Sequence, residues 1–268
     1  MRRELRLSCQ EQLLPGDSIE QKWESAQRLG FQAIELRGRG DGAFAERLPE
    51  LERARRHGVP MPTVCVEMAH FIGDFDPDRR RDAAAQLRSQ LSVISAIGGR
   101  LVMTPASYGM FSRRLPPFEP PRTEQQDTEV LLEMLSGLAR HAQEEGVAIV
   151  LEPLNRYEDH MVNTVARAVE LCEQVGSPAL RIVADSYHMN IEEADPPASL
   201  LTAAPYLAHV QVSDSNRLEP GAGHLDWSTL LATLEAIGFD HELAYECRLS
   251  GPPEQVLATS TDFLRRLA

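Results

Sequence analysis

Four polar side chains close four short apolar runs in the second half of the chain. Glu152 follows Ala148-Ile149-Val150-Leu151, Asp185 follows Arg181-Ile182-Val183-Ala184, Gln211 lies in His209-Val210-Gln211-Val212-Ser213, and Glu246 follows Leu243-Ala244-Tyr245. They stand 33, 26 and 35 residues apart, each about one strand–helix unit of a barrel near 250 residues long. A side-chain period of two puts Val150 with Glu152, Val183 with Asp185 and His209 with Gln211 on one face of each strand. The four polar groups can therefore converge. Three carboxylates in one confined space repel one another unless a positive charge separates them. Oxygen donors of this kind suit Mg²⁺ or Mn²⁺, with Co²⁺ also admitted, whereas an amide oxygen is a poor zinc ligand. The alternative is four unconnected strand ends facing water. The chemistry such a cluster supports is proton transfer beside a carbonyl. A divalent cation acts as Lewis acid toward the enediolate, and a carboxylate takes the proton. Return of the proton to the other face gives epimerisation; return to the neighbouring carbon gives isomerisation.

The elements that must position these residues alternate along the chain. Strands are expected at 5–9, 33–36, 62–68, 100–104, 148–152, 180–185, 209–213 and 242–246. Helices are expected at 18–29, 42–57, 78–97, 123–145, 165–175, 198–204, 227–237 and 253–267. Ser18 is a fitting N-cap, and Gly30, Gly146, Gly176 and Gly238 are fitting stops. His188 falls in the loop after the sixth strand. Eight such pairs without a composition break give a single (β/α)₈ TIM barrel over residues 1–268, of α/β class. An open doubly wound sheet is disfavoured because no GxGxxG turn follows the first strand. In a barrel, functional side chains belong at strand C-termini.

Composition narrows the classes. The 268 residues carry 27 Lys+Arg and 40 Asp+Glu, a net charge of −13, with 43% hydrophobic residues. This is globular composition. The acidic balance argues against a nucleic-acid groove, and no apolar run reaches membrane-spanning length. Cys9, Cys65, Cys172 and Cys247 are scattered without a CxxC pair and read as free thiols of a cytoplasmic protein. Nothing supplies a base to make Cys247 a nucleophile. Arg79-Arg80-Arg81 reads as a solvated helix start.

Five segments carry a family resemblance: Leu151-Glu152-Pro153-Leu154-Asn155-Arg156-Tyr157-Glu158, Asp185-Ser186-Tyr187-His188-Met189-Asn190, His209 through Arg217, Pro220-Gly221-Ala222-Gly223-His224-Leu225-Asp226-Trp227, and Tyr245-Glu246. In order and placement they resemble the xylose-isomerase-like barrel superfamily, and within it the D-tagatose 3-epimerase type and hydroxypyruvate isomerase. The first 120 residues match only as barrel architecture. The resemblance implies a divalent-metal-dependent sugar isomerase or epimerase. It implies Glu152, Asp185, Gln211 and Glu246 as metal ligands, Glu152 and Glu246 as the proton-exchanging pair, and Glu158, His188 and Arg217 as groups holding the sugar. Gln211 departs from the 3-epimerase pattern, which has a second His there. Hydroxypyruvate isomerase and 3-dehydroshikimate dehydratases are similar to this chain at that place.

The same platform also supports a dehydratase of a cyclic keto-polyol, in which a β-hydroxyl leaves after proton abstraction. An endonuclease IV-type nuclease would need more His ligands and a basic face, and a non-catalytic sugar-binding barrel would not need the acid pair. His209, one layer below Gln211, reads as a satisfied interior residue, and His224 as an organiser of its Gly-rich loop. Glu67, His70, Phe71, Phe111 and Phe118 are candidates for the pocket wall. No P-loop-type phosphate cradle exists, so the expected partner is an unphosphorylated carbohydrate or keto-polyol. Barrels of this family pair, giving an expected homodimer or homotetramer, with Pro116–Pro121 serving an interface or lid.

Overall fold

The computed structural model describes residues 5–109 and 119–268. Eight parallel strands close a barrel in sequence order, with β8 hydrogen-bonded back to β1. They are β1 (Leu7–Gln10), β2 (Ala33–Arg39), β3 (Thr63–Glu67), β4 (Leu101–Pro105), β5 (Ala148–Glu152), β6 (Leu180–Asp185), β7 (Leu207–Val212) and β8 (Leu243–Tyr245). The helices are α1 (Ile19–Arg28), α2 (Ala43–Glu46), α3 (Leu48–Arg56), α4 (Pro77–Ala96), α5 (Glu124–Glu144), α6 (Val165–Val175), α7 (Ser186–Glu192), α8 (Pro196–Ala203), α9 (Trp227–Ala236) and α10 (Pro253–Leu267).

Local chemistry sets the helix ends. The Ser18 side chain accepts from Gln21 N to cap α1, and Thr123 with Gln126 forms a reciprocal capping box at α5, satisfying amides that have no partner inside the helix. The expected helix over 42–57 is broken at Arg47, because Pro49 sits in the first turn of α3 and can start a helix but not continue one. A second correction concerns His188. It lies not in a loop but in α7, whose first turn is capped by Asp185 Oδ1 accepting from Tyr187 N (2.7 Å) and His188 N (3.3 Å).

Two apolar layers hold the barrel. Outward-facing strand residues such as Ile34, Leu36, Ile149, Leu151 and Ile182 pack against the helices in one continuous core. Inward-facing Leu101, Met103, Val150 and Val183 plug the lower half of the barrel, as stacked interior residues do in this architecture. Above that plug the inward positions turn polar. Gln10, Glu35, Thr63, Glu152, Asp185, His209 and Gln211 are all buried. Among the described residues no helix is long and apolar enough to cross a membrane.

Candidate active site

The polar upper layer opens into a cavity of about 270 Å³, whose lining includes Glu152, Glu158, His188, Arg217 and Glu246. Glu152 ends β5, Asp185 ends β6, and Glu246 immediately follows β8. Asp185 and Gln211 are register partners across β6 and β7, so they stand at the same height. Glu152, Asp185 and His188 each bring a potential ligand atom within 4.8 Å of the others.

Electrostatics explain why so many acids coexist. Burial first, then the Glu246 and Asp185 charges, push Glu152 well above the usual carboxylate range. Burial likewise lifts Glu246 to about 7, against the pull of Arg217 and with the help of Asp185. Asp185 is also buried, but the Arg217 guanidinium, the His188 ring and the Arg217 hydrogen bond outweigh that and hold it below its ordinary value. Arg217 Nη1 donates to Asp185 Oδ2 (2.5 Å), and Nη2 lies 3.1 Å from Glu246 Oε2. The guanidinium also lies 4.9 Å from the Tyr187 ring centroid. It reaches this position from a residue with φ of 62°, a left-handed conformation unusual for a side chain of this size and found most often where a site demands it.

The polar partners of His188 define its role. Its Nδ1 accepts from the Asn155 backbone N–H (3.0 Å), with Asn155 Nδ2 also at 2.9 Å. Burial pushes the ring below its ordinary pKa, favouring the neutral form. A neutral ring that accepts at Nδ1 carries its proton on Nε2. That atom lies 4.0 Å from Glu152 Oε1, so His188 presents a donor rather than a metal-binding lone pair. Asn155 Nδ2 also donates to Glu158 Oε1 (2.9 Å), which ties Glu158 to the same group.

Glu35 carries no motif in the sequence, yet it is fully buried beneath the site. Its Oε1 accepts from Gln211 Nε2 (3.0 Å) and Gln10 Nε2 (3.1 Å); its Oε2 accepts from Thr63 Oγ1 (2.8 Å) and pairs with His209 Nε2 (2.6 Å). Burial opposes its charge, but His209 and these hydrogen bonds prevail and hold it below the ordinary carboxylate pKa. An acceptor-only carboxylate requires the NH₂ end of Gln211 to face it. Gln211 Oε1 is thereby turned away, and it is buried without a hydrogen-bond partner. The signal available in sequence was a lone acid at an inward position of an otherwise apolar strand. His209 has its Nε2 paired, as expected of an interior residue, although Nδ1 has no partner.

The remaining candidates divide. Glu67 and Phe71 line the cavity, while His70 Nδ1 pairs with Asp82 Oδ2 (2.7 Å). Phe71 packs edge-on to Tyr108, with ring centroids 5.9 Å apart. Phe111 and residues 116–118 of the Pro116–Pro121 stretch, Phe118 among them, lie outside the described residues. His224 Nδ1 meets Ser215 Oγ (2.8 Å), within its loop. All four cysteines are free, and burial lifts Cys247 to about 12, so it stays a thiol.

A donor set of two glutamates, one aspartate and an amide oxygen is hard-oxygen chemistry suited to a divalent cation. The buried, unpartnered Gln211 Oε1 fits such an ion, because a buried polar atom without a partner is costly.

Comparison with known proteins identifies the family. A family described as xylose isomerase-like TIM barrel matches residues 23–267. A 3-dehydro-D-guloside 4-epimerase of Escherichia coli is 32% identical over 263 residues, covering 97% of this chain and 99% of that protein. A D-psicose 3-epimerase of Ruminiclostridium cellulolyticum is 27% identical over 240 residues, covering 85% of this chain and 80% of that one. Among solved structures, a 3-keto-D-glucoside 4-epimerase from E. coli superposes with a TM-score of 0.93 at 32% identity, covering 98% of this chain and 100% of the other.

Proposed function

The chain belongs to the xylose isomerase-like TIM barrel family and is a sugar epimerase or isomerase, and on that premise we propose that it inverts the carbon beside the ketone of a keto-glycoside, with Glu152 and Glu246 as the two proton-transfer groups. One observation carries the reading. Two carboxylates, on elements three strands apart round the closed barrel, line one cavity, and burial raises both above the ordinary carboxylate range, Glu246 to about 7. A proton-transfer group works best when its pKa lies near the working pH. Inversion needs one group to remove the proton and another to supply one from the opposite side.

Glu152, Asp185, Gln211 and Glu246 would hold a divalent ion, Mn²⁺ or Mg²⁺. When bound, it supplies Lewis-acid polarisation of the ketone and adjacent hydroxyl oxygens, which acidifies the hydrogen between them. The chain's own groups do the rest. His188 Nε2–H donates to a sugar oxygen, and Glu158 accepts from a hydroxyl. Arg217, already engaged with Asp185 and Glu246, balances the excess negative charge and turns its remaining donors to the substrate.

The keto-glycoside assignment, in preference to a free ketose, draws on the full-length similarity to the E. coli 4-epimerase. The test is conversion. Mn²⁺-loaded protein is incubated with a methyl 3-keto-hexoside and with ketohexoses, and products are followed by proton NMR. A new epimer from the keto-hexoside supports the reading. New vinyl signals would assign the protein to the dehydratases instead. Turnover of ketohexoses alone would return it to the ketose epimerases.

A further inference from the structure

The candidate active-site cavity has a neighbour on the β1–β2 side. Gln12 and Arg37 line the active-site cavity, and the same two residues line the second, of about 260 Å³, floored by the start of α1 at Ser18 and Ile19. They form a shared sill. The sill is fixed from within the barrel, because Gln12 Nε2 donates to Gln10 Oε1 (2.5 Å) and Gln10 Nε2 donates to Glu35. Arg37 is held from the other side by Glu67, at 2.7 Å from both Nη2 and Nε.

We propose that this second cavity is a binding subsite for a neutral, hydroxyl-rich second unit attached to the sugar that reacts in the first. The proposal rests on the keto-glycoside reading and deepens it. Size and shared lining supply the space: a ring seated against Glu152 and Glu246 would extend its substituent over Gln12 and Arg37, the two residues common to both cavities. Charge supplies the selectivity. Four cations face the second cavity, Lys22, Arg37, Arg39 and Arg47, and three carboxylates, Glu11, Glu50 and Glu67, pair with them. Glu11 takes Arg47 in a two-pronged contact (2.7 and 2.9 Å) and lies 4.0 Å from Lys22. Glu50 lies 3.2 Å from Arg47 Nε. Glu67 serves both Arg37 and Arg39, the latter at 3.4 Å. Asp17 completes the lining. An anionic ligand would have to displace one of these carboxylates. A polyol instead finds donors and acceptors side by side and leaves the ion pairs intact.

The experiment compares kcat/KM for two substrates sharing one reacting ring: a methyl 3-keto-glucoside and a 3-keto-glucosyl-glucose. Contacts to the remote unit should raise kcat/KM for the larger substrate by about tenfold or more. Lys22→Trp, which fills the cavity, should bring the ratio of the two close to one, and Lys22→Ala should reduce it several-fold. Thermal melting of each variant checks that it is folded. A wild-type ratio near one, or a ratio that Lys22→Trp leaves unchanged, overturns the subsite while the epimerase reading stands on turnover of the methyl glycoside. A phosphorylated second unit preferred over glucose would overturn the neutral assignment. Turnover of neither substrate would sink the keto-glycoside reading and the subsite with it.

Discussion

At the scale of single residues, acids that look alike in sequence divide the labour. Asp185 is kept ionised by Arg217, whereas Glu152 and Glu246 are pushed toward holding a proton. Replacing Glu246 by Gln keeps its size but removes its basicity, so turnover should fall by about 10²–10⁴-fold, the usual contribution of a positioned acid/base. A variant within a few-fold of wild type would remove Glu246 from the chemistry. Glu35 acts one step back. As an acceptor-only carboxylate it dictates which end of the Gln211 amide faces the site. Glu35→Gln offers an NH₂ of its own and loosens that constraint. Mn²⁺ affinity, read by titration calorimetry, should drop by about 10–100-fold, as it does when a group supporting a metal ligand is lost. Unchanged affinity would show that Gln211 needs no such support. Glu152 and Glu246 were legible in sequence because each closes a short apolar run, about one strand–helix unit from the neighbouring polar strand end. Glu35 was not, because a single buried acid within Ala33-Ile34-Glu35-Leu36 gives no spacing to read.

At the scale of elements, the loop between β7 and α9 carries Arg217 to the site, and one side chain organises it. Asp214 Oδ1 accepts from Ser215 N (2.8 Å) and Leu225 N (3.1 Å), and Oδ2 accepts from Gly221 N (2.9 Å) and Trp227 Nε1 (2.9 Å). Gly221 is required there: its φ is +93°, and a Cβ would meet the Phe263 ring at 2.9 Å. Burial alone would raise Asp214, but these four bonds outweigh it and leave the carboxyl below its ordinary pKa. A depressed folded-state pKa stabilises the fold above the unfolded-state value, and that contribution is lost as pH falls through the folded-state value. Asp214→Asn should therefore cost about 1.5–3 kcal/mol at neutral pH. In urea unfolding series, its gap from wild type should narrow below about pH 4. A gap that is constant with pH would mean that the carboxylate charge is not what orders the loop. The sequence marked this loop through its glycines and His224. It did not reveal α7, because a seven-residue helix is too short for periodicity, and its cap, Asp185, reads equally well as a site residue.

At the scale of the whole molecule, the strand–helix alternation was legible throughout because most of the βα units repeat the same solution: a strand, a helix capped by a side chain and a glycine stop. The breaks came where local chemistry intervened, as at Pro49. What was not legible in sequence was the second cavity, because its lining comes from the segment after β1, the start of α1, β2, and Arg47 and Glu50 at the start of α3, which share no motif. A metal bridging β5, β6, β7 and β8 would tie half the barrel together. Stripping divalent ions with EDTA should lower the melting temperature, and Mn²⁺ at 100 times its dissociation constant should restore about 2.7 kcal/mol. Identical melting with and without Mn²⁺ would contradict a site formed by those four strands. The most direct test of the central claim, proton transfer by two carboxylates across one cavity, is a short incubation of the Mn²⁺-loaded protein with a 3-keto-glycoside in D₂O, followed by NMR of both product and recovered substrate. The product epimer should carry solvent deuterium at the inverted carbon from the first turnovers, while recovered substrate carries little, and Glu152→Gln and Glu246→Gln should each slow its formation by about 10²–10⁴-fold. An epimer that retains the original hydrogen would contradict the claim.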